Sequence, residues 1–299
     1  MAQVTGTYSV YDAKGLREDL SDIIYSIAPT ETPFMSGIGK EKATAVLHEW
    51  QTDSLASASA ANAQVEGDEI SFAAPTATTR VNNRTQISRK SVIVSGTLES
   101  VTKAGRNNEL AYQISKASKE LKRDMESSLT ANNSPVVGDD STARELAGLA
   151  GWIQANNDAG AGGANGQVSS VDVPGTARTD GTQRAFTESQ LKSVIKKCWD
   201  EGGDPSMIMV GSFNKQVLSG FTGGSTRFDP AENKRLVAAV DVYESDFGSM
   251  TVVPNRFQRA RDVFVLQPDM FATAFLRDFQ IMDLAKTGDA TKQALLAEY

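Results

Sequence analysis

The stretch from Thr52 to Thr79, TDSLASASAANAQVEGDEISFAAPTATT, limits most strongly what this chain can fold into. It consists largely of Ala, Ser and Thr and has few large apolar side chains, so it cannot form a hydrophobic core of its own. Strand-like sequence precedes it in TAVLHEWQ and follows it in TQISRKSVIVSGT. Residues 42–95 are therefore predicted to form a long two-stranded arm with a soft tip.

This arm is large compared with a compact body. Each limb, of roughly 25 residues, could span about 50 to 80 Å when extended, whereas a compact chain of this length has a radius of gyration of only ~19 Å. A two-stranded ribbon is barely stable alone in water, and ordering about 50 residues costs on the order of 50 kcal/mol of backbone entropy. We therefore expect the arm either to lie on a neighbouring copy or to be disordered.

The clearest helix pattern runs from Asn107 to about Asn132, with Asn107 or Asn108 as its N-cap. At ~1.5 Å per residue this helix is about 35 Å long. The predicted apolar stripe consists of Leu110, Ile114, Ala117, Leu121, Met125 and Leu129. The predicted opposite face consists of Lys116, Lys119, Lys122, Arg123 and Glu126. Its basic side chains could contact nucleic acid, but the interspersed acidic side chains favour an ordinary solvated or interface face.

A second compact segment is predicted over residues 187–255. Thr187 and Gln190 form a capping box that begins a helix, and Gly202 ends this helix. The predicted buried stripe consists of Leu191, Val194, Ile195, Cys198 and Trp199. A strand, a short helix and a hairpin near residues 246–248 complete an αβαββ segment. The strands after Arg256 are expected to return and pack beside the long helix.

Two glycine-containing stretches look like phosphate-binding turns without matching one. In Gly37-Ile38-Gly39-Lys40, Phe34 stands where the first Gly of a phosphate loop belongs, and Glu41 replaces the Ser or Thr that holds magnesium. We interpret it as a turn from an N-terminal amphipathic helix, residues 16–27, into the arm, with Lys40 as a surface charge. In GAGGANG, Asn165 occupies the third glycine position of a dinucleotide-binding turn, so a flexible surface loop is expected.

Candidate catalytic residues are few. His48 is the only histidine and Cys198 the only cysteine, which excludes an internal disulfide and a Cys/His zinc cluster. A packed or surface histidine and a buried inert thiol are favoured over catalytic roles. The sequence therefore predicts no catalytic residue, no cofactor, no metal site and no enzymatic activity. An enzyme that uses scattered carboxylates or the GGSTRFD loop at residues 223–229 is the alternative.

Charge and hydropathy exclude further classes. The net charge of −7, from 30 basic and 37 acidic residues, argues against a general nucleic-acid binder. The N-terminal MAQVTGTYSV does not resemble a signal peptide, and no segment has the ~20 apolar residues that span a bilayer. The sequence predicts a soluble protein that is made in a cytoplasm and contacts no membrane.

The order of these parts resembles the major capsid proteins of tailed phages, which share the HK97-type fold, and most closely the SU10-type branch. The similar sequence words are PTETPFMSGIGK, RTQISRKSVIVSGT, AGRNNELAYQISKASKELKRDME, EGGDPSMIMVG with NKQVLSGF, and DFGSMTVVPNRFQRARDVFVLQP. The resemblance implies an α+β fold with an N-terminal arm (1–42) and an extended β-hairpin loop (43–95) that lies on an adjacent subunit. A peripheral domain (96–186) then contains a spine helix and the glycine-rich loop. An α/β axial domain (187–255) lies at the five-fold and six-fold axes, and the return strands (256–299) complete the peripheral domain.

The resemblance also implies a function, namely self-assembly into the icosahedral head shell that encloses the phage genome in the virion. Implied partners are further copies in hexameric and pentameric capsomers, a portal, a separate scaffold protein and non-specifically enclosed DNA. Some relatives cross-link through a lysine in the extended loop, but residues 51–79 contain none, so no cross-link is expected. A tail-tube, surface-layer or DNA-binding protein is the alternative. The final ALLAEY ends within strand-like sequence, which leaves open whether a natural tail follows.

Overall fold

The computed structural model describes residues 28–70, 72, 74–167, 175–221 and 240–299. The expected helix at residues 16–27 and the GGSTRFD loop lie outside the described residues. The helices are α1 Pro33–Gly37, α2 Gly96–Ser100, α3 Glu109–Leu129, α4 Leu149–Trp152, α5 Glu188–Asp200 and α6 Ser212–Ser219. The strands are β1 Gly39–Lys42, β2 Leu47–Thr52, β3 Thr79–Arg84, β4 Ile87–Ser95, β5 Met207–Val210, β6 Val242–Ser245, β7 Gly248–Pro254, β8 Val263–Leu266, β9 Ala272–Phe275, β10 Arg277–Leu284 and β11 Ala290–Glu298.

The long helix α3 packs on a three-stranded antiparallel sheet in the order β10-β11-β4. Asn108 is its N-cap, because the Asn108 side chain accepts a hydrogen bond of 2.7 Å from the backbone N–H of Ala111. The predicted stripe is buried at Ala117, Leu121 and Met125. The core between helix and sheet consists of Met35, Leu121, Met125, Leu146, Phe275, Leu295, Ala297 and Tyr299, which we call the spine core.

A second sheet, in the order β6-β7-β5-β8, packs with α5 and α6. The capping box of Thr187 and Gln190 is confirmed, and Gly202 ends the helix with a φ of 83°, which favours glycine. The predicted hairpin is the β6–β7 pair. The core between this sheet and its two helices consists of Leu191, Ile195, Ile208, Val210, Leu218, Met250 and Val252. Three stripe residues differ from the prediction, since Trp199 is 56% exposed and both Val194 and Cys198 are only partly buried.

The strand β8 was assigned to the wrong sheet. The sequence placed VFVLQP among strands that pack beside the long helix, but β8 pairs antiparallel with β5, with Met207 opposite Leu266. The β5 and β8 strands are short apolar runs, so only the long-range pairing distinguishes the two sheets. The later strands β10 and β11 do return to α3, as predicted.

The two paired strands of the arm are shorter than the sequence predicted. The strand β2 pairs with β3, whereas β4 (within TQISRKSVIVSGT) pairs along its whole length with β11. The limb from Ile87 to Ser95 is therefore part of the sheet under α3 and not the returning strand of the arm. Lys90 of this strand pairs with Asp124 of α3 at 2.5 Å, and Val94 on the same side is only 5% exposed, which gives more burial than a solvated ribbon offers.

The turn after Pro33 also differs from the prediction. Residues 33–37 form the short helix α1, and β1 then pairs in parallel with β9, from Gly39 opposite Ala272 to Lys42 opposite Phe275. Neither Gly37 nor Gly39 is among the glycines with positive φ, so the turn needs no left-handed residue. Lys40 is exposed, as expected for a surface charge.

The glycine-rich loop folds back on itself on both sides of residues 168–174. Isolated antiparallel bridges join Ala164 to Thr179 and Gln167 to Thr176. Asn132, after the end of α3, donates a hydrogen bond of 2.7 Å to the carbonyl of Arg178 and accepts one of 2.9 Å from its N–H. The described parts of this loop are thus tied to the main body, and its flexibility stays a prediction.

Glu126 was predicted on the solvated face of α3, and this is wrong. It is fully buried, and its carboxylate accepts hydrogen bonds of 2.8 Å from the backbone N–H groups of Phe34 and Met35. The helix α1 covers this side of α3 from a position more than 90 residues earlier in the chain. A helical pattern alone cannot reveal such a neighbour.

Replacing Leu121 with Ala should lower the free energy of unfolding by about 2–5 kcal/mol, because Leu121 is fully buried in the spine core and its loss leaves a cavity. Chemical denaturation of the unassembled subunit measures the change. Lys119→Ala, an exposed position of the same helix, is the control and should change stability by no more than about 0.5 kcal/mol. Equal effects of the two substitutions would contradict the assignment of this core.

Candidate functional site: the projecting arm and the outer sheet face

The base of the arm is a regular antiparallel ladder. The strands β2 and β3 pair from Leu47 opposite Arg84 to Thr52 opposite Thr79. Across the ladder, Arg80 Nη2 lies 2.6 Å from Glu49 Oε2, although exposed pairs of this kind contribute little. The ladder alone is therefore a marginal structure that depends on its attachment to the body.

Side chains and backbone groups attach this ladder to α4 and to the loop before it. The ring centroids of Trp50 and Trp152 are 5.3 Å apart in a tilted arrangement, a geometry that adds to their burial. Asn83 accepts a hydrogen bond of 3.0 Å from the N–H of Ala147 and donates one of 3.4 Å to its carbonyl. The base of the arm is thereby held in one orientation.

A buried carboxylate strengthens the same attachment. Glu298, at the end of β11, is 3% exposed and lies 2.5 Å from Arg144 Nη2 and 2.7 Å from Arg277 Nε. Its Oε1 also accepts a hydrogen bond of 3.2 Å from Thr85 Oγ1, directly after β3. Because a buried charge that loses its partners is costly, this cluster fixes the end of the arm against the sheet.

The tip of the arm, residues 53–78, contains neither helix nor strand among its described residues, and all of these are exposed. Four of its large apolar side chains lie in solvent, namely Leu55 at 98%, Val65 at 78%, Ile70 at 76% and Phe72 at 93% exposure. The charged residues of residues 51–79 are Asp53, Glu66, Asp68 and Glu69, with no Lys or Arg. The tip is thus apolar and acidic, and the described part of its own subunit does not cover it.

A second surface has the opposite charge. On the side of the β10-β11-β4 sheet away from α3, directly opposed residues share a face, and Leu284, Lys292 and Ile93 form one such row. Ile93 is 63% exposed, Met282 is 42% exposed and Leu284 is 43% exposed. Arg89 is exposed on the same face. We call the surface formed by Arg89, Ile93, Met282, Leu284 and Lys292 the outer sheet face.

The two candidate catalytic residues, His48 and Cys198, do not lie in one site. His48 Nε2 lies 3.9 Å from Glu41 Oε2, and the His48 ring is 5.9 Å from that of Trp50, so His48 belongs to the base of the arm. Partial burial raises the pKa of the Cys198 thiol, which reduces its reactive thiolate. Asp139 has a pKa lowered to about 2 by hydrogen bonds from Ser141 and Thr142, as in an ordinary loop turn.

A cleft of about 970 Å³ lies between the base of the arm and the second sheet. Asp158 and Asp180 border it, but Arg184 pairs with the first at 2.5 Å, and Arg261 with the second at 3.0 Å. Burial raises the pKa of Asp262 at the same edge. Within the part of the chain that the structure describes, no cluster of His, Cys, Asp and Glu could hold a metal ion. No described helix is long and apolar enough to cross a membrane.

The family model of the SU10 major capsid protein matches residues 3–299. The chain belongs to this family. The major capsid protein of Escherichia phage Phieco32 is 28% identical over 314 residues, which cover 94% of this chain and 89% of that protein. This protein is therefore a phage major capsid protein, and the family assignment replaces the tail-tube and surface-layer alternatives.

Solved structures agree on the fold. A chain of the cyanophage A-1(L) capsid matches with a TM-score of 0.64 and 13% identity over 95% of this chain and 92% of that chain. The capsid of a native GTA particle matches with a TM-score of 0.62 and 10% identity over 97% of this chain and 92% of that chain. The fold is thus the HK97-like α+β fold that the resemblance implied. The family is structural and not a class of enzymes.

In the unassembled subunit, elastase should cleave first within residues 53–70, because this segment is exposed, irregular and rich in Ala. Mass spectrometry of the first fragments identifies the site. Trypsin is the matched control, since residues 51–79 contain no Lys or Arg, and its first cuts should lie elsewhere. First elastase cuts outside the arm would contradict the exposure of the tip.

Proposed function

We propose that this capsid protein builds an icosahedral head shell around the phage genome and that each arm becomes ordered on a neighbouring copy. The observation that supports this most directly is the tip, whose Leu55, Val65, Ile70 and Phe72 are exposed. Isolated exposed apolar residues are ordinary, but four of them on an irregular segment need a partner surface to become buried. A second copy of the chain supplies that surface in any symmetric assembly.

The outer sheet face is the surface that fits the tip best. The tip offers apolar side chains with acidic ones, and the outer sheet face offers Ile93, Met282 and Leu284 with Arg89 and Lys292. Complementary charge favours the correct partner and register, while the apolar contacts supply most of the free energy. The tip of one copy therefore lies across the outer sheet face of the next.

The division of the chain follows from this arrangement. The second sheet, with α5 and α6, corresponds to an axial domain at the five-fold and six-fold axes, and α3 with its sheet corresponds to the peripheral domain. Each contact is modest, and closed symmetry repeats it many times, so that the complete shell is stable. The portal, a separate scaffold and loosely enclosed DNA complete the virion, and synthesis takes place in the host cytoplasm.

Replacing Leu55, Val65, Ile70 and Phe72 together with Ser should leave a folded subunit that does not form shells, because the tip then buries little apolar surface on a neighbour. Circular dichroism checks folding, and sedimentation with electron microscopy checks assembly. The matched control changes four small exposed residues of the same segment to Ser, namely Ala56, Ala58, Ala60 and Ala63, and should still assemble. Normal shells from the first variant, or from a deletion of residues 54–73, would contradict the role of the arm.

Reversing the charge of Arg89 and Lys292 to Glu should raise the critical concentration for assembly by about tenfold, since surface ion pairs of the kind proposed between these two residues and the acidic tip contribute roughly 0.2–1 kcal/mol each and become repulsive. Adding Glu66→Lys and Glu69→Lys to the same chain should restore assembly. Lys116→Glu with Lys119→Glu on exposed positions of α3 is the matched control and should have little effect. If only the control variant impaired assembly, the tip would dock on α3 and not on the outer sheet face.

A further inference from the structure

Glu126 lies where three parts of the chain meet. Its Oε2 accepts a hydrogen bond from the N–H of Met35, and its Oε1 accepts one from the N–H of Phe34, both at 2.8 Å. Oε1 also accepts a hydrogen bond of 2.7 Å from Asn255 Nδ2. The three donors belong to α1 and to the residue after β7, whereas Glu126 itself belongs to α3. One side chain thus connects the N-terminal segment, the long helix and the second sheet.

The helix α1 depends on this carboxylate for its N-terminal hydrogen bonds. The side chain of Thr32, at the N-cap position, makes no capping hydrogen bond. The first N–H groups of a helix lack partners within it, so Glu126 supplies from another helix what a capping side chain normally provides. The orientation of α1 is therefore set from α3.

The two residues held in this way enter different cores. Met35 packs in the spine core with Leu121 and Met125. Phe34 packs in a bridging core that also contains Leu149, Ala150, Met209, Phe264 and Leu266, and so joins α1 and α4 to the second sheet. A rotation of α1 would displace both side chains together, which couples the positions of the two sheets.

Asn255 completes the connection on the side of the second sheet. It is 2% exposed, and its N–H donates a hydrogen bond of 2.8 Å to the carbonyl of Val210 at the end of β5. Its Oδ1 accepts one of 2.8 Å from the N–H of Phe257. Since the backbone and both ends of its amide are engaged, Asn255 transmits the position of the carboxylate to the edge of that sheet.

The chemistry of this site requires an acceptor at both oxygens. All three donors are neutral amides, and burial raises the pKa of Glu126 by more than these hydrogen bonds lower it. A glutamine there would set its own NH₂ group against a backbone N–H or the Asn255 amide. A buried carboxylate is an expensive way to gain stability, and its better-supported use is to define one arrangement among several.

We propose that Glu126 is a positioning residue for assembly, which fixes the angle between α3 and the second sheet and thereby the curvature of the shell. This inference rests on the proposed closed shell. Contacts between subunits close a shell only if each subunit presents its surfaces at the same angle, and a varied angle gives open or irregular assemblies. The alternative is that the three hydrogen bonds only stabilise the fold.

The test compares Glu126→Gln with Glu109→Gln. Glu109 is also nearly fully buried, at 3% exposure, but its side chain accepts hydrogen bonds from Arg106 and Gln113, which lie near it around the start of α3. Both variants should fold, and each should lose several degrees of thermal midpoint. Well below both midpoints, only Glu126→Gln should roughly double the spread of particle diameters in electron micrographs or give open sheets.

A second variant keeps the inference testable if Glu126→Gln does not fold. Asn255→Ala removes one hydrogen bond to the carboxylate and leaves those of α1 in place, so it should broaden the diameters in the same way. Uniform wild-type-like particles from Glu126→Gln, or from Asn255→Ala where Glu126→Gln does not fold, would overturn the positioning role. Flat lattices or tubes from the wild type would contradict the proposed shell, while a changed lattice curvature in Glu126→Gln would still support the role of Glu126.

Discussion

The tip of the arm lies against no surface of its own subunit among the residues that the structure describes. Its described residues from Asp53 to Thr78 are exposed, although they include Leu55 and Phe72 at more than 90% exposure. The base of the same arm is held by Trp50 against Trp152 and by the Glu298 cluster. In the proposed shell, a second copy of the chain covers this tip, while the base stays fixed on its own subunit.

The rest of the molecule supplies the fixed geometry from which the arm projects. The spine core and the core of the second sheet are separate, and α1 joins them because Met35 enters the first and Phe34 the bridging core. The carboxylate of Glu126 holds the backbone of both residues. In the proposed shell, this junction connects the fold of one subunit with the angle at which subunits meet.

Local sequence patterns predicted the elements that are determined by interactions between residues near each other in sequence. The N-cap and apolar stripe of α3, the capping box of α5 and the β6–β7 hairpin were found because each depends on neighbouring residues. The errors concern contacts over long distances in sequence. The strand β8 joined β5, the strand β4 joined β11, and Glu126 was covered by α1, none of which is encoded in periodicity. The outer sheet face became visible only once strand order and register were known.

Backbone hydrogen exchange of residues 53–70, compared between free subunits and assembled shells by mass spectrometry, tests most directly whether a neighbour covers the tip. In the free subunit these amides are exposed and should exchange at nearly the rate of an unstructured peptide. In shells the same amides should be strongly protected, while β2 and β3 change little. Equally fast exchange of residues 53–70 in intact shells would contradict the account.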